Sequence, residues 1–214
     1  MNQYQHFVAF DTETTGLDAE TNQIIELAGV KFTVELDPQG KIIPKILGTF
    51  ESFVKPTMMI PQEASNINGI SNEMVENAPP IQEVLPQFIK FCGLSTVLVA
   101  HNAEFDAKFL RKAIKTHSLN QLNNPIVDNL KISRKIMPEA PSQKLGELAK
   151  RLRREMTLNL NSVNLHRALY DCEVLAHVFV AVCRKRLLAP NFIMGTFLKE
   201  IDAIHGPLID AKVK

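Results

Sequence analysis

VAFDTETTG, from Val8 to Gly16, decides how this chain is read. Residues 7–10 are apolar, as in the middle of a buried strand, and the run then meets Asp11 and Glu13 where a core pattern ordinarily fades into a turn. Side chains alternate faces along a strand, so residues two apart point the same way. Asp11 and Glu13 are therefore expected side by side, both anionic, at the end of a central strand. Two negative charges that close repel unless something positive lies between them. The spacing calls for something positive there.

Working outward, residues 14–22 are turn-like and 24–36 resume a strand pattern. Asp37-Pro38-Gln39-Gly40 is a strong reversal signal, followed by an extended stretch over 42–54. These give an antiparallel meander of three strands. From Pro61 the period changes, and helices are predicted over 62–68, 72–76 and 80–92, the last with Ile81, Val84, Leu85, Phe88 and Phe91 on one side. TVLVA, 96–100, is wholly apolar, as a parallel strand covered on both faces should be. Asn102 is read as the cap of a helix carrying Phe105, Phe109 and Leu110. A short strand over 125–128 and helices over 130–137, 144–153 and 167–187 complete the pattern. The expected fold is α/β: a mixed sheet, three-strand antiparallel meander plus parallel strands, flanked by helices. Residues 1–187 form its one domain, and 188–214 a tail that packs on the domain or binds a partner.

Composition agrees and narrows the classes. A chain of 214 residues is long enough for one sizeable core. Its 45% apolar and 22% charged residues are ordinary for a soluble globular protein. A net charge of +1 means that any basic patch for a polyanion must be local. MNQYQHF lacks a charged segment followed by an apolar run, so no secretory signal is expected, and no stretch has the roughly 18 apolar residues of a membrane helix. Cys92, Cys172 and Cys183 form no C-x-x-C pair, which argues against a disulfide scaffold or zinc ribbon. They read as small core residues in a reducing, cytoplasmic setting.

The acids at 11 and 13 have company. In VAHNAEFDAKFL, Asp106 lies in the first turn of a helix, where the dipole favours a carboxylate, yet it shares a side with Phe109 and Leu110 and so faces inward. In LHRALYDCEVLAHVF, Asp171 heads the stripe Asp171, Leu175, Val178 and Val182, the core-facing side of a helix. Inward acids are rare unless paired or metal-bound. His166, five residues before Asp171, falls off that face and belongs to the loop leading into the helix.

The ordered set, D-x-E, H-N-x-x-F-D and H-x-A-x-x-D, resembles the three exonuclease motifs of the histidine-containing (DEDDh) branch of the DEDD superfamily. The similarity extends through IIELAGVKF, FVKPTMMIPQEASNINGISNEMVENAPP and EVLPQFIKF, over about residues 7–183, and is greatest to proofreading epsilon subunits of bacterial DNA polymerase III and their free-standing relatives. The resemblance implies a ribonuclease H-like fold and 3′–5′ exonuclease activity. It implies two divalent cations, Mg2+ or Mn2+, held by Asp11, Glu13, Asp106 and Asp171, with Asp11 bridging both and Asp106 acting largely through water. His166 is then the general base, its ordinary pKa of about 6.5 suiting proton abstraction near neutrality.

Thr12 and Thr14 flank the acids and Phe105 offers a ring to a base; ordinary strand polarity and core packing are the competing explanations. Asn68 stands where the family loop more often has histidine, in NINGIS. The implied partners are single-stranded 3′ ends, DNA ahead of RNA, and a DNA polymerase subunit. An RNA-trimming exonuclease with the same five catalytic residues is the rival enzyme, and a binding module without catalysis the rival of another class. Lys150, Arg151, Arg153 and Arg154 are the densest basic run, either a solvated helix face or a track for phosphates.

Overall fold

A computed structural model of the chain describes residues 6–156, 158 and 167–185. Its centre is a five-stranded sheet of order β3-β2-β1-β4-β5. β1 (His6–Thr14), β2 (Ile24–Leu36) and β3 (Ile42–Phe53) form the antiparallel meander; β4 (Thr96–Ala100) and β5 (Ile126–Asp128) extend the sheet in parallel on the other side of β1. The Asp37 carboxylate accepts from the backbone N–H groups of Gln39 and Lys41, at 2.9 and 2.8 Å, and so closes the β2–β3 reversal with a side-chain bond.

Between β3 and β4 come α1 (Gln62–Asn68), α2 (Asn72–Val75) and α3 (Ile81–Cys92). α4 (Ala103–His117) links β4 to β5, and α5 (Asn129–Ile136), α6 (Leu145–Leu152) and α7 (Ala168–Arg184) follow. The helices divide by the alternation of the strands. Val8, Phe10, Leu27 and Leu98 face α3 and α4, where Phe88 meets Phe10 and Phe50 at ring separations of 6.1 and 5.5 Å. Phe7, Ala9, Val30, Phe32 and Val99 face α5, α6 and α7, with Phe7 against Phe179 at 5.5 Å. Each face thus has its own core, and β1 is buried from both.

Two expectations change in detail. Asn102 does stand before α4, but its backbone is left-handed (φ 77°) and its side chain makes no cap bond. Its N–H instead donates to Asp128 Oδ1 at 3.1 Å, an acceptor delivered by β5. The long C-terminal helix begins at Ala168 and ends at Arg184, one residue later and three earlier than the periodicity suggests. The expected tail, 188–214, and His166 lie outside the described residues.

Candidate active site

β1, β4 and β5 run in parallel, so their carboxyl ends share one edge of the sheet, and β1 is where the order turns from antiparallel to parallel neighbours. Crevices at such ends are where open α/β sheets bind ligands. Asp11 and Glu13 project there from β1 on the face covered by α7, and Asp171 meets them from the first turn of α7. One carboxylate oxygen from each lies within 4.8 Å of the others, and all three residues are partly buried.

Asp106 comes from the other layer. It lies in the first turn of α4, is 3% exposed, is not one of the three that converge, and accepts from Thr12 N at 3.0 Å and Thr12 Oγ1 at 2.8 Å. Thr12 therefore anchors the fourth acid. Thr14 donates its hydroxyl to Gly16 O at 2.7 Å, shaping the turn out of β1. Asn68 is buried; its Nδ2 donates to Thr14 O at 3.3 Å and its Oδ1 accepts from Ile70 N at 3.0 Å. The amide thus braces the end of β1 from α1. Phe105 is half-buried, its ring 5.2 Å from that of Phe109 and under the Lys108 ammonium at 5.0 Å.

Two residues escaped the motif reading. Asp128, at the end of β5, accepts from Asn102 N and from Leu130 N (2.9 Å), tying the β4–α4 connection to α5. Glu26, on β2 directly opposite Glu13, is fully buried and bonded to the start of α7. Its signal was present: a lone acid inside the apolar run IIELAGV.

The electrostatics of the cluster are those of uncompensated acids. Burial first, and then the charges of Asp106, Glu13, Asp171 and Glu26, hold the Asp11 carboxyl well above the usual carboxylate range. Burial, then Glu26, Asp171 and Asp106, push Glu13 up to about 8, against a partial opposing pull from Arg167. Asp106 is raised to about 7 by burial, although its Thr12 hydrogen bonds favour the charged form. Three acids held above the usual carboxylate range with Asp171 beside them, all offering oxygen as the donor atom, suit hard divalent cations and give no reason for zinc or copper. The residues fit such ions. A hollow of about 370 Å³ elsewhere, walled by Glu20, Val54, Ile81, Phe109 and Lys112, has a single acid, Glu20, already paired with Lys112, and is not a rival metal site.

These shifts set a pH dependence for the metal-free protein. Glu13 binds its proton more tightly folded than unfolded, so its contribution to stability is full below about pH 4.5 and is lost as pH rises through about 8. Glu13→Gln, which cannot ionise, is expected to melt above the parent at pH 8 in chelator, with the gap closing toward pH 5. Melting curves that differ by the same amount at both pH values would remove the charge explanation.

An open mixed sheet with a group of carboxylates over the end of its central strand offers a site suited to divalent cations. The chain belongs to the exonuclease family RNase T, whose pattern it matches over residues 8–179. It is 38% identical over 172 residues to the PolC-type DNA polymerase III of Oceanobacillus iheyensis, covering 80% of this chain and 11% of that polymerase. It is 33% identical over 207 residues to the PolC-type polymerase of Caldanaerobacter subterraneus, covering 97% of this chain and 13% of the polymerase. The chain thus corresponds to a small part of these relatives. Among solved structures, its fold is similar to Exonuclease X in complex with 5′ overhanging duplex DNA (TM-score 0.64, 24% identity, 94% of this chain and 99% of that one). It is also similar to E. coli Exonuclease I with a dA16 oligonucleotide (TM-score 0.64, 17% identity, 86% and 41%). The ribonuclease H-like fold expected from the motifs is the observed one. Among the described residues no helix is long and apolar enough to cross a membrane.

Proposed function

We propose that this chain is a 3′–5′ exonuclease that hydrolyses the terminal phosphodiester of single-stranded or frayed DNA and releases nucleoside 5′-monophosphates. The observation that carries this reading is the convergence of Asp11, Glu13 and Asp171 within 4.8 Å at the end of a buried strand. Asp11, Glu13, Asp106 and Asp171 would hold two divalent cations, Mg2+ or Mn2+, whose Lewis acidity would supply activation of a water and stabilisation of the leaving 3′ oxygen.

The chain's own groups do the rest. His166 takes the proton from the attacking water, being joined directly to Arg167 at the head of the helix that carries Asp171. Thr12 keeps Asp106 turned toward the strand end, Asn68 braces Thr14, and Thr14 lines the edge that receives the terminal nucleotide. Phe105 offers the exposed part of its ring for stacking on a base. Proofreading beside a DNA polymerase subunit is the setting that the PolC-type relatives support, with the tail 188–214 as a further partner-binding segment.

The test is degradation of labelled single-stranded DNA, a 3′-mismatched duplex and RNA, side by side with Mn2+. Faster loss of the DNA 3′ ends is expected, because the relatives are PolC-type DNA polymerases. RNA degraded faster would move the chain to the RNA-trimming branch, and no cleavage of any substrate would leave a binding module.

The basic run over residues 150–154, at the end of α6, has little part in this reaction. Lys150 pairs with Glu147 at 2.8 Å and Arg151 with Glu139 at 3.6 Å, while the neighbouring Glu155 holds Arg184 and Lys185 at the far end of α7. At 1.5 Å per residue, Arg184 lies about 20 Å along the helix from Asp171. Replacing Arg153 and Arg154 together is expected to leave the salt dependence of single-strand binding, measured in chelator, parallel to the parent's. A slope flattened by about 0.7 per residue would instead make them phosphate contacts.

A further inference from the structure

Glu26 is in an expensive place. It is 0% exposed, it faces Glu13 across the β1–β2 ladder, and like charges directly opposite on a sheet repel. A glutamine would fill the same space without the charge. What the charge obtains is contact with the start of α7, 142 positions further on. Its Oε2 accepts from Ala168 N at 3.2 Å and its Oε1 from the Arg167 guanidinium at 3.2 Å. Arg167 lies at the N-cap position of α7, where its own side chain caps nothing, so Glu26 satisfies a helix-end N–H that the local sequence leaves open. Arg167 is held in turn by Glu51 at 3.5 Å and by the face of the Phe53 ring, 5.4 Å from its centre. Strands β2 and β3 thus grip the first turn of α7. Asp171 is one turn further, its N–H bonded to Arg167 O at 3.0 Å.

We infer that Glu26, acting through Arg167 and Ala168, is a positioning residue that seats the first turn of α7 on the meander and so sets the geometry with which Asp171 closes the cation site against Asp11 and Glu13. The inference rests on the metal-dependent reading above. Groups that orient ligands in this way cost about 10- to 100-fold in metal affinity when removed.

Positioning and simple charge predict opposite signs at Arg167. Removing a cation near an acidic cluster strengthens Mn2+ binding if only charge matters; removing a strut weakens it. The experiment is calorimetric titration of the nucleic-acid-free protein with Mn2+ alone, for the parent, Glu26→Gln, Glu26→Ala, Arg167→Ala and Arg167→Lys. Each variant's metal-free melting temperature is measured alongside. Arg167 is 46% exposed, so its variants are expected to fold even where Glu26→Ala does not. The expected result is a Kd raised at least about tenfold in Arg167→Ala, most of it restored in Arg167→Lys. Glu26→Gln, which keeps an acceptor for Ala168 N, is expected to lose less than Glu26→Ala. In cleavage assays the lost kcat should return as Mn2+ is raised, with KM for the oligonucleotide little changed. Mn2+ binding equal to the parent's or tighter in a folded Arg167→Ala overturns the inference. A parent that binds no Mn2+ overturns the metal reading beneath it, and the two failures are distinct.

Discussion

Asp11→Ala is expected to cut cleavage of a labelled oligonucleotide by at least about a thousandfold, a loss of about 4 kcal/mol of transition-state stabilisation. Asp11 is the residue most entangled with the others: the charges of Asp106, Glu13, Asp171 and Glu26 all bear on its carboxyl. Removing it opens the centre of the cation site. The same substitution relieves repulsion, so the metal-free protein should melt at the parent's temperature or above it. Loss of activity with a gain in stability separates a functional residue from a structural one. Turnover close to the parent's in Asp11→Ala would end the assignment of this site.

The second large effect is expected at His166. Without a general base the rate should fall by about 10²- to 10⁴-fold, while Mn2+ affinity measured by calorimetry stays that of the parent, because histidine is not among the proposed ligands. Raising the pH should return part of the rate to His166→Ala, since hydroxide then needs no base. A collapse of Mn2+ affinity would make His166 a ligand and require a different proton acceptor.

Much of this architecture is legible in the chain because its signals are local. The span 24–36 is recovered to the residue: an apolar stretch ends at Asp37, whose side chain itself closes the turn. Asp11 and Glu13 share a face because strand alternation requires it; Asp171 joins them from the first turn of α7, a helix buried all round over 174–183, so the stripe that it heads is not set apart by burial. What escapes is set by partners distant in sequence. Asn102 has the identity of a cap, but β5 brings Asp128 to its N–H, and the loop takes a left-handed turn instead. The inward direction of Asp106 is readable from periodicity. That α4 and α7 lie on opposite faces, so that Asp106 reaches the strand end through Thr12, is not. Glu26 is conspicuous as an acid among apolar neighbours, yet its reason is an arginine 141 positions away. The densest cluster of positive charge, around Arg153, is the opposite case: prominent in sequence and remote from the acids in space.

The order in which the carboxylates appear along the chain has a consequence for the cell. Asp11 and Glu13 belong to the first strand and Asp171 to the last described helix. Ribosomes add about 5–20 residues per second, N-terminal end first, so the strands β1 to β5 are synthesised some seconds before Asp171. During that interval the strand end carries its acids without the member that completes the group, and a metal site that is not assembled does not bind. On the proposed function, a site built this way would be disarmed until α7 docks. Partly made chains, and chains clipped ahead of α7, would then be spared from attacking the nucleic acid around them, and the cation would become a late seal on a finished fold.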